Sequence, residues 1–264
     1  MSQLLKYNDN GLVYYRFVTL EDQPGLFHGI FTRLGGVSSA PWATLNVGHT
    51  VGDDHEAVEE NHRRLCRALG IARQDIVSGY QVHGTRVARV GLRDRGQVYP
   101  ETDILITDVP GVPLMQRYAD CLPILLYDPV HRAVGLAHAG WRGTLARVAQ
   151  KAVEAMQTEF GTRPADLIAA LGPGIGPCCY QVGPEVAGAA QTTISGWPSV
   201  LLRRRDGSWH LDLWEANRRL LKQAGVEHIE ISGLCTACRT DEFYSHRAEQ
   251  GRTGRFGVVI GLRW

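Results

Sequence analysis

No stretch of the chain approaches the ~20 consecutive apolar residues that a membrane-crossing helix needs. The opening MSQLLKYNDNG turns polar after two leucines and lacks the apolar stretch of a secretory signal. Charge of neither sign dominates, since 28 Lys plus Arg stand against 27 Asp plus Glu, a formal +1. That balance argues against a general binder of nucleic acid or anionic membrane, which carries a basic excess. There is no fixed-period repeat, no low-complexity tract and no long linker. The glycine-rich stretch Leu171–Tyr180 is followed by no Gly-Lys-Ser/Thr, so it is not a P-loop. The third glycine of a dinucleotide fingerprint would fall there at Pro177. The expected setting is the cytoplasm, where the six cysteines are expected as thiols or metal ligands rather than bridges.

What is present fits a globular protein that buries a sizeable core without disulfides: 264 residues, 44% hydrophobic and 21% charged. Strands are expected over Leu12–Leu20, Leu26–Arg33, Asp75–Val82, Arg86–Val90, Ala133–Ala137, Leu167–Leu171 and Phe256–Leu262. Asp206-Gly207 suits the tight turn of a hairpin between Val200–Arg205 and Ser208–Leu213. Helices are expected near Glu56–Leu69, capped by Asp53 or Asp54 and stopped by Gly70, and over Leu145–Phe160, Glu185–Ala190 and Leu213–Ala224. These elements predict a mixed α/β (α+β) architecture, a single-domain sandwich of mixed β-sheet with flanking helices. No composition shift marks a boundary, so one domain is expected over 1–264.

Three short segments put a metal-capable side chain at the end of an apolar run beside an expected turn: Gln81-Val82-His83-Gly84, Ala119-Asp120-Cys121-Leu122-Pro123 and His138-Ala-Gly-Trp-Arg-Gly143. His83, Cys121 and His138 together would form an N/S/N set with a fourth position open, as in catalytic zinc sites; copper accepts the same donors. A Cys121–His138 nucleophile–base pair is the other chemical reading. Cys235-Thr-Ala-Cys238 lacks a second pair with knuckle spacing, because Cys178 and Cys179 are adjacent. These four are therefore expected to be unassigned, partly buried thiols. The Leu171–Tyr180 stretch reads as a rigid loop suited to wall a pocket.

Thr-Arg-Leu-Gly-Gly-Val at 32–37, Leu-Asn-Val-Gly at 45–48, the three segments above, Leu-Gly-Pro-Gly-Ile-Gly at 171–176 and Phe-Tyr-Ser-His-Arg at 243–247 with Thr-Gly-Arg at 253–255 occur in that order. Together they resemble the YfiH-type family, also called the laccase-domain or polyphenol oxidase family and now described as purine nucleoside phosphorylases. The resemblance implies His83, Cys121 and His138 as ligands of zinc, with copper in the older oxidase description. It implies an α/β sandwich related to the deamidating toxins. It further implies phosphorolysis of adenosine, inosine and methylthioadenosine, with adenosine deamination besides. The alternatives within it are an amidase-type editor of peptidoglycan precursors and a copper-dependent polyphenol oxidase. On this reading the partners are purine nucleosides and phosphate. Arg33, Arg142 and Arg247 are candidates to hold the anion. Asp120 is a candidate proton shuttle or orienter of a ligating histidine. Asn46 and Gln81 are candidate partners of base or ribose.

Overall fold

The computed structural model describes residues 4–264. The chain opens with a hairpin of β1 (Leu4–Asp9) and β2 (Leu12–Phe17), a short turn of helix α1 (Val18–Glu21) and β3 (Leu26–Phe31). The stretch Val18–Leu20 is thus helical and not the tail of a strand. A long loop leads to α2 (His55–Leu69). Asp54 caps α2 by accepting from the Ala57 N–H at 2.9 Å, and Gly70 ends it in the left-handed region at φ 65°.

Next come β4 (Val77–Gly79), β5 (Val87–Arg89), β6 (Val98–Tyr99), β7 (Ile104–Thr107), β8 (Leu114–Tyr118), β9 (Leu122–Asp128) and β10 (Ala133–Ala139). β4 is far shorter than the expected Asp75–Val82, because Arg73–Asp75 form a 3₁₀ turn and Gln81–Val82 already belong to a loop. α3 (Trp141–Leu145) and α4 (Val148–Phe160) replace the single helix expected over Leu145–Phe160. Arg147 stands in the left-handed region at φ 64° and breaks the run. The remainder is β11 (Ile168–Leu171), β12 (Gln181–Val182), α5 (Pro184–Thr193), β13 (Leu201–Arg203), β14 (Trp209–Leu211), α6 (Leu213–Gln223), β15 (His228–Ile231) and β16 (Phe256–Leu262). The Asp206-Gly207 hairpin is present as the antiparallel pair β13–β14.

One sheet has the order β1-β2-β3-β16-β8-β4-β6, a second β15-β11-β9-β10-β7-β5, and a small third β12-β14-β13. The two large sheets are mixed; β4 runs parallel to β8 and β5 to β7, and the central pairs are antiparallel. Side-chain alternation explains how they stack. On β16, Val258, Ile260 and Leu262 join the core between the sheets, whereas Val259 turns outward to Leu65 and Leu69 of α2. On β9, Leu125 and Tyr127 face inward, and Ile124 and Leu126 pack on α4 and α6. The layers are therefore helix, sheet, sheet, helix, the expected sandwich of mixed sheet with flanking helices. Each fully buried leucine in that core contributes roughly 1.5–3 kcal/mol. A buried, unpartnered carboxylate would cost more than one such side chain gives, so any acid between the sheets has to be satisfied.

Candidate metal centre and cavity

Strand parity assembles the site. Leu105, Leu125 and Leu136 face the opposite sheet. Steps of two along the same segments reach Asp103, Cys121 and His138, which stand in line with them at one end of the sandwich. Register completes the placement: His138 lies across from Pro123, and its N–H donates to the Asp103 carbonyl at 2.8 Å.

Asp103 is fully buried and fully used. Its Oδ1 meets His138 Nδ1 at 2.8 Å. Its two oxygens also accept the backbone N–H groups of Val82, His83 and Gly84 at 3.1, 3.0 and 2.8 Å. One carboxylate therefore orients the His138 ring and shapes the loop that carries His83. Burial pushes the Asp103 carboxyl up, but His138 and the Gly84 and Val82 N–H groups outweigh it and hold it below its ordinary value. Cys121 and His138 answer each other in the same way. Burial opposes charge on both, yet the imidazoles of His138 and His83 bring the thiol down, and Cys121 with Asp103 brings the imidazole up.

The donor atoms of His83, Cys121 and His138 all lie within 4.8 Å of one another, and the two rings are 5.0 Å apart. Because His138 Nδ1 is engaged by Asp103, its Nε2 is the atom left for a ligand, the usual arrangement at a ligating histidine. Space has been left as well. A Cβ added at Gly140 would come to 2.9 Å from Cys121 Sγ and 3.0 Å from His83 Cδ2. The donor His83 and Asp120, the residue before Cys121, stand in the left-handed region at φ 63° and φ 84°, a conformation non-glycine residues rarely adopt. An N/S/N set with an oriented imidazole and a cleared corner fits a three-ligand metal site.

The donors open onto a cavity of about 820 Å³, within the size range of small-molecule sites. Its wall holds five arginines, Arg73, Arg117, Arg142, Arg247 and Arg255, but only one carboxylate, Asp120. Arg117 donates from Nε to the Val47 carbonyl at 2.8 Å. Burial and then Arg73 bring its guanidinium down to about 10. Arg255 is also brought down by burial. Arg73 is paired with Glu59 at 3.3 Å, whereas Arg117 and Arg255 spend donors on backbone carbonyls, and cations held in that way welcome an anion. Tyr80, Trp141 and Tyr180 add aromatic surface. Arg142 stacks 4.4 Å over the Trp141 ring, and Arg247 lies 5.3 Å over Tyr180 with an N–H on the Gln181 carbonyl at 2.8 Å.

Of the residues singled out from sequence, Gln81, Asp120, Arg142 and Arg247 line this cavity beside the three donors. The Gln81 amide is spent on the backbone of Arg117, giving to its carbonyl at 2.8 Å and taking from its N–H at 3.0 Å. Asp120 accepts from Thr236 Oγ1 and from the Arg247 N–H, each at 2.7 Å, and does not touch His83 or His138; Asp103 holds His138. Arg33 stands outside the wall. It binds the carbonyls of Ala43 and Thr240 and the Glu249 carboxylate, each at 2.9 Å, and lies over Tyr244. Asn46 is buried, with its amide divided among Gly48, Asp53 and the Arg255 N–H, so it props the wall without facing it. Sequence reading missed Asp103 and Arg117, and it noted Arg255 in the Thr253-Gly-Arg255 motif without giving it a role. For Asp103 the available signal was parity, an acid two residues before Leu105 and one before the start of β7.

The family model described as multi-copper polyphenol oxidoreductase laccase matches residues 27–263. The chain belongs to that laccase-like family. Among relatives it is 41% identical over 249 residues to "Purine nucleoside phosphorylase YlmD" of Geobacillus stearothermophilus, covering 90% of this chain and 91% of that one. It is 44% identical over 235 residues to "Purine nucleoside phosphorylase" of Deinococcus radiodurans, covering 89% and 88%. Among solved structures, that of YlmD from Geobacillus stearothermophilus superposes with a TM-score of 0.93 at 38% identity over all of both chains. The Bacillus licheniformis protein YfiH gives 0.91 at 34% identity, covering 97% and 98%. The laccase-like fold and the family resemblance expected from sequence are both borne out. Among the described residues no helix is long and apolar enough to cross a membrane.

Proposed function

We propose that this chain is a metal-dependent purine nucleoside phosphorylase. The observation that carries the reading is the N/S/N donor set opening onto a cavity walled by five arginines and one carboxylate. The names of the curated relatives point the same way. Adenosine, inosine and methylthioadenosine are the nucleosides of this reading, with adenosine deamination as a second activity. The six unbridged cysteines suit the cytoplasm.

Phosphorolysis joins a phosphate oxygen to the anomeric carbon and breaks the bond from that carbon to the purine nitrogen. The bonding pair leaves with the base, which takes up the proton that hydrogen phosphate gives up as its oxygen bonds to carbon. Arg142, Arg247 and Arg117 hold the incoming phosphate, and the faces of Tyr80, Trp141 and Tyr180 take the purine. Asp120, with both oxygens engaged, serves by fixing the backbone of Arg247 rather than by shuttling a proton. Gln81 fixes Arg117, and Asn46 fixes Arg255, so both act through an arginine. Arg33 has no contact to offer a substrate in this arrangement. His83, Cys121 and His138 would hold a metal, zinc first and copper second, which would supply Lewis acidity. Cations fixed in place before the reaction act where negative charge gathers, and such preorganised charge lowers the barrier.

The test is Cys121→Ala. Metal per chain is measured by mass spectrometry, and adenine release from adenosine is followed with and without phosphate. The variant is expected to hold one metal fewer than the parent and to lose phosphate-dependent release by at least ~100-fold. Ribose-1-phosphate should form only when phosphate is present, and inosine in the phosphate-free arm reports deamination. Undiminished turnover in the metal-depleted variant, or base release indifferent to phosphate, overturns the reading.

A further inference from the structure

Cys178 and Cys179 close the glycine-proline loop after β11, and Cys235 and Cys238 sit in the loop between β15 and β16. Sequence spacing set them aside as unassigned thiols; the fold brings them together. All four Sγ atoms lie within 4.8 Å of one another. Cys238 Sγ is 3.5 Å from that of Cys178 and 3.3 Å from that of Cys179. These separations are far beyond the ~2.05 Å of a disulfide. They approach the ~3.8 Å edge of a tetrahedron whose centre lies about 2.3 Å from each sulfur, the zinc–thiolate length.

The scaffold around the sulfurs is built. Gly174 bridges to Cys235 as a strand pair, its N–H on the Leu234 carbonyl at 3.2 Å and its carbonyl taking the Thr236 N–H at 3.0 Å. The Gly176 N–H donates to Cys235 Sγ at 3.2 Å, a contact that favours a thiolate there. The Arg239 N–H closes a turn around 235–238 on the Cys235 carbonyl at 3.0 Å. None of the four cysteines lines the cavity. Both loops nevertheless continue into its wall: Tyr180 follows Cys179, Arg247 lies downstream of Cys238, and Thr236 holds Asp120.

We infer that Cys178, Cys179, Cys235 and Cys238 form a second, structural metal site that takes one Zn²⁺ through four thiolates and staples together the two loops that wall the cavity. Each thiol releases its proton to solvent as the ion enters. Four soft donors in a closed set select zinc and leave no position for substrate. The inference is independent of the phosphorolysis reading.

The experiment uses the full chain carrying His83→Ala, Cys121→Ala and His138→Ala, with all four loop cysteines intact. Purified under reducing conditions, it is expected to retain about one zinc per chain. Loaded with cobalt(II) instead, it should show the strong sulfur-to-metal absorption of a tetrahedral four-thiolate site. Adding Cys235→Ser and Cys238→Ser should remove both signals. A triple variant free of zinc whose remaining thiols react at once with Ellman's reagent overturns the inference. So does a disulfide joining the two loops, found by peptide mapping of freshly purified protein.

Discussion

Two sulfur-bearing clusters lie in this molecule, and they are built on opposite principles. His83, Cys121 and His138 mix nitrogen with sulfur, sit at the end of the sandwich where strand parity delivers two of them, and face a cavity. The four cysteines are all sulfur, come in neighbouring pairs from two loops, and face no cavity. Three donors with an oriented imidazole leave a corner for a reacting molecule; four donors close the shell. The difference teaches that access, set by donor count, divides chemistry from bracing more sharply than ligand type does.

Chelation gives the largest contrast. A chelator at neutral pH is expected to empty the open three-donor centre first. Phosphorolysis should then fall by at least ~100-fold while the melting temperature moves little. Cys178→Ser with Cys179→Ser, which leaves Cys121 in place, should instead lower the melting temperature by opening the four-cysteine cluster. Equal sensitivity of activity and melting to the chelator would erase the distinction.

Asp103→Asn comes next. The amide keeps the shape but loses the charge, and it swaps an acceptor for a donor where three backbone N–H groups and one imidazole converge. Metal affinity at the three-donor centre is expected to drop about 10–100-fold. Competition with a fluorescent chelator measures it, and the four-cysteine cluster in the same sample should be unaffected.

The smallest effect sharpens the role of the carboxylate by comparing two buried histidines. His28 is also buried, but its Nε2 accepts the Phe17 N–H at 2.8 Å and no acid faces it. Burial, then Arg16, pushes its pKa down to about 3, whereas His138 beside Asp103 is pushed up. The folded form of His28 therefore binds its proton far less readily than the unfolded chain, whose histidine titrates near ~6.5. The stability this contributes is fully present above that pH and is lost as pH falls from it toward 3, by up to about 5 kcal/mol. His28→Gln keeps an acceptor for Phe17 and should flatten the acid limb of a melting-temperature profile between those limits. An unchanged profile would remove His28 from the acid response.

Much of the frame was legible. The Asp54 cap and Gly70 stop bound α2, the Asp-Gly turn marked its hairpin, and β16 ran as drawn. β8 and β9 were passed over because buried strands read as short apolar runs without a clear period. The α3–α4 break was invisible because nothing in the side chain of Arg147 announces a left-handed backbone. At the site, the three donors stood out by residue type and family resemblance, but their organiser did not. Asp103 is a single acid in Glu-Thr-Asp-Ile, and its meaning lies in the register of β7 against β10, which is a property of pairing. Arg33 and Arg142 look alike in sequence, yet one is bound into a loop anchor and the other lies at the cavity wall.

Asp120 carries one further implication. It precedes the sulfur donor Cys121 by a single peptide, and its carboxylate grips the main chain of Arg247 and the hydroxyl of Thr236. A guest tugging on that arginine therefore pulls, through one short lever, on the residue next to the metal-facing sulfur. If the proposed metal site holds, a change to either loop should alter metal affinity even when no donor atom is altered.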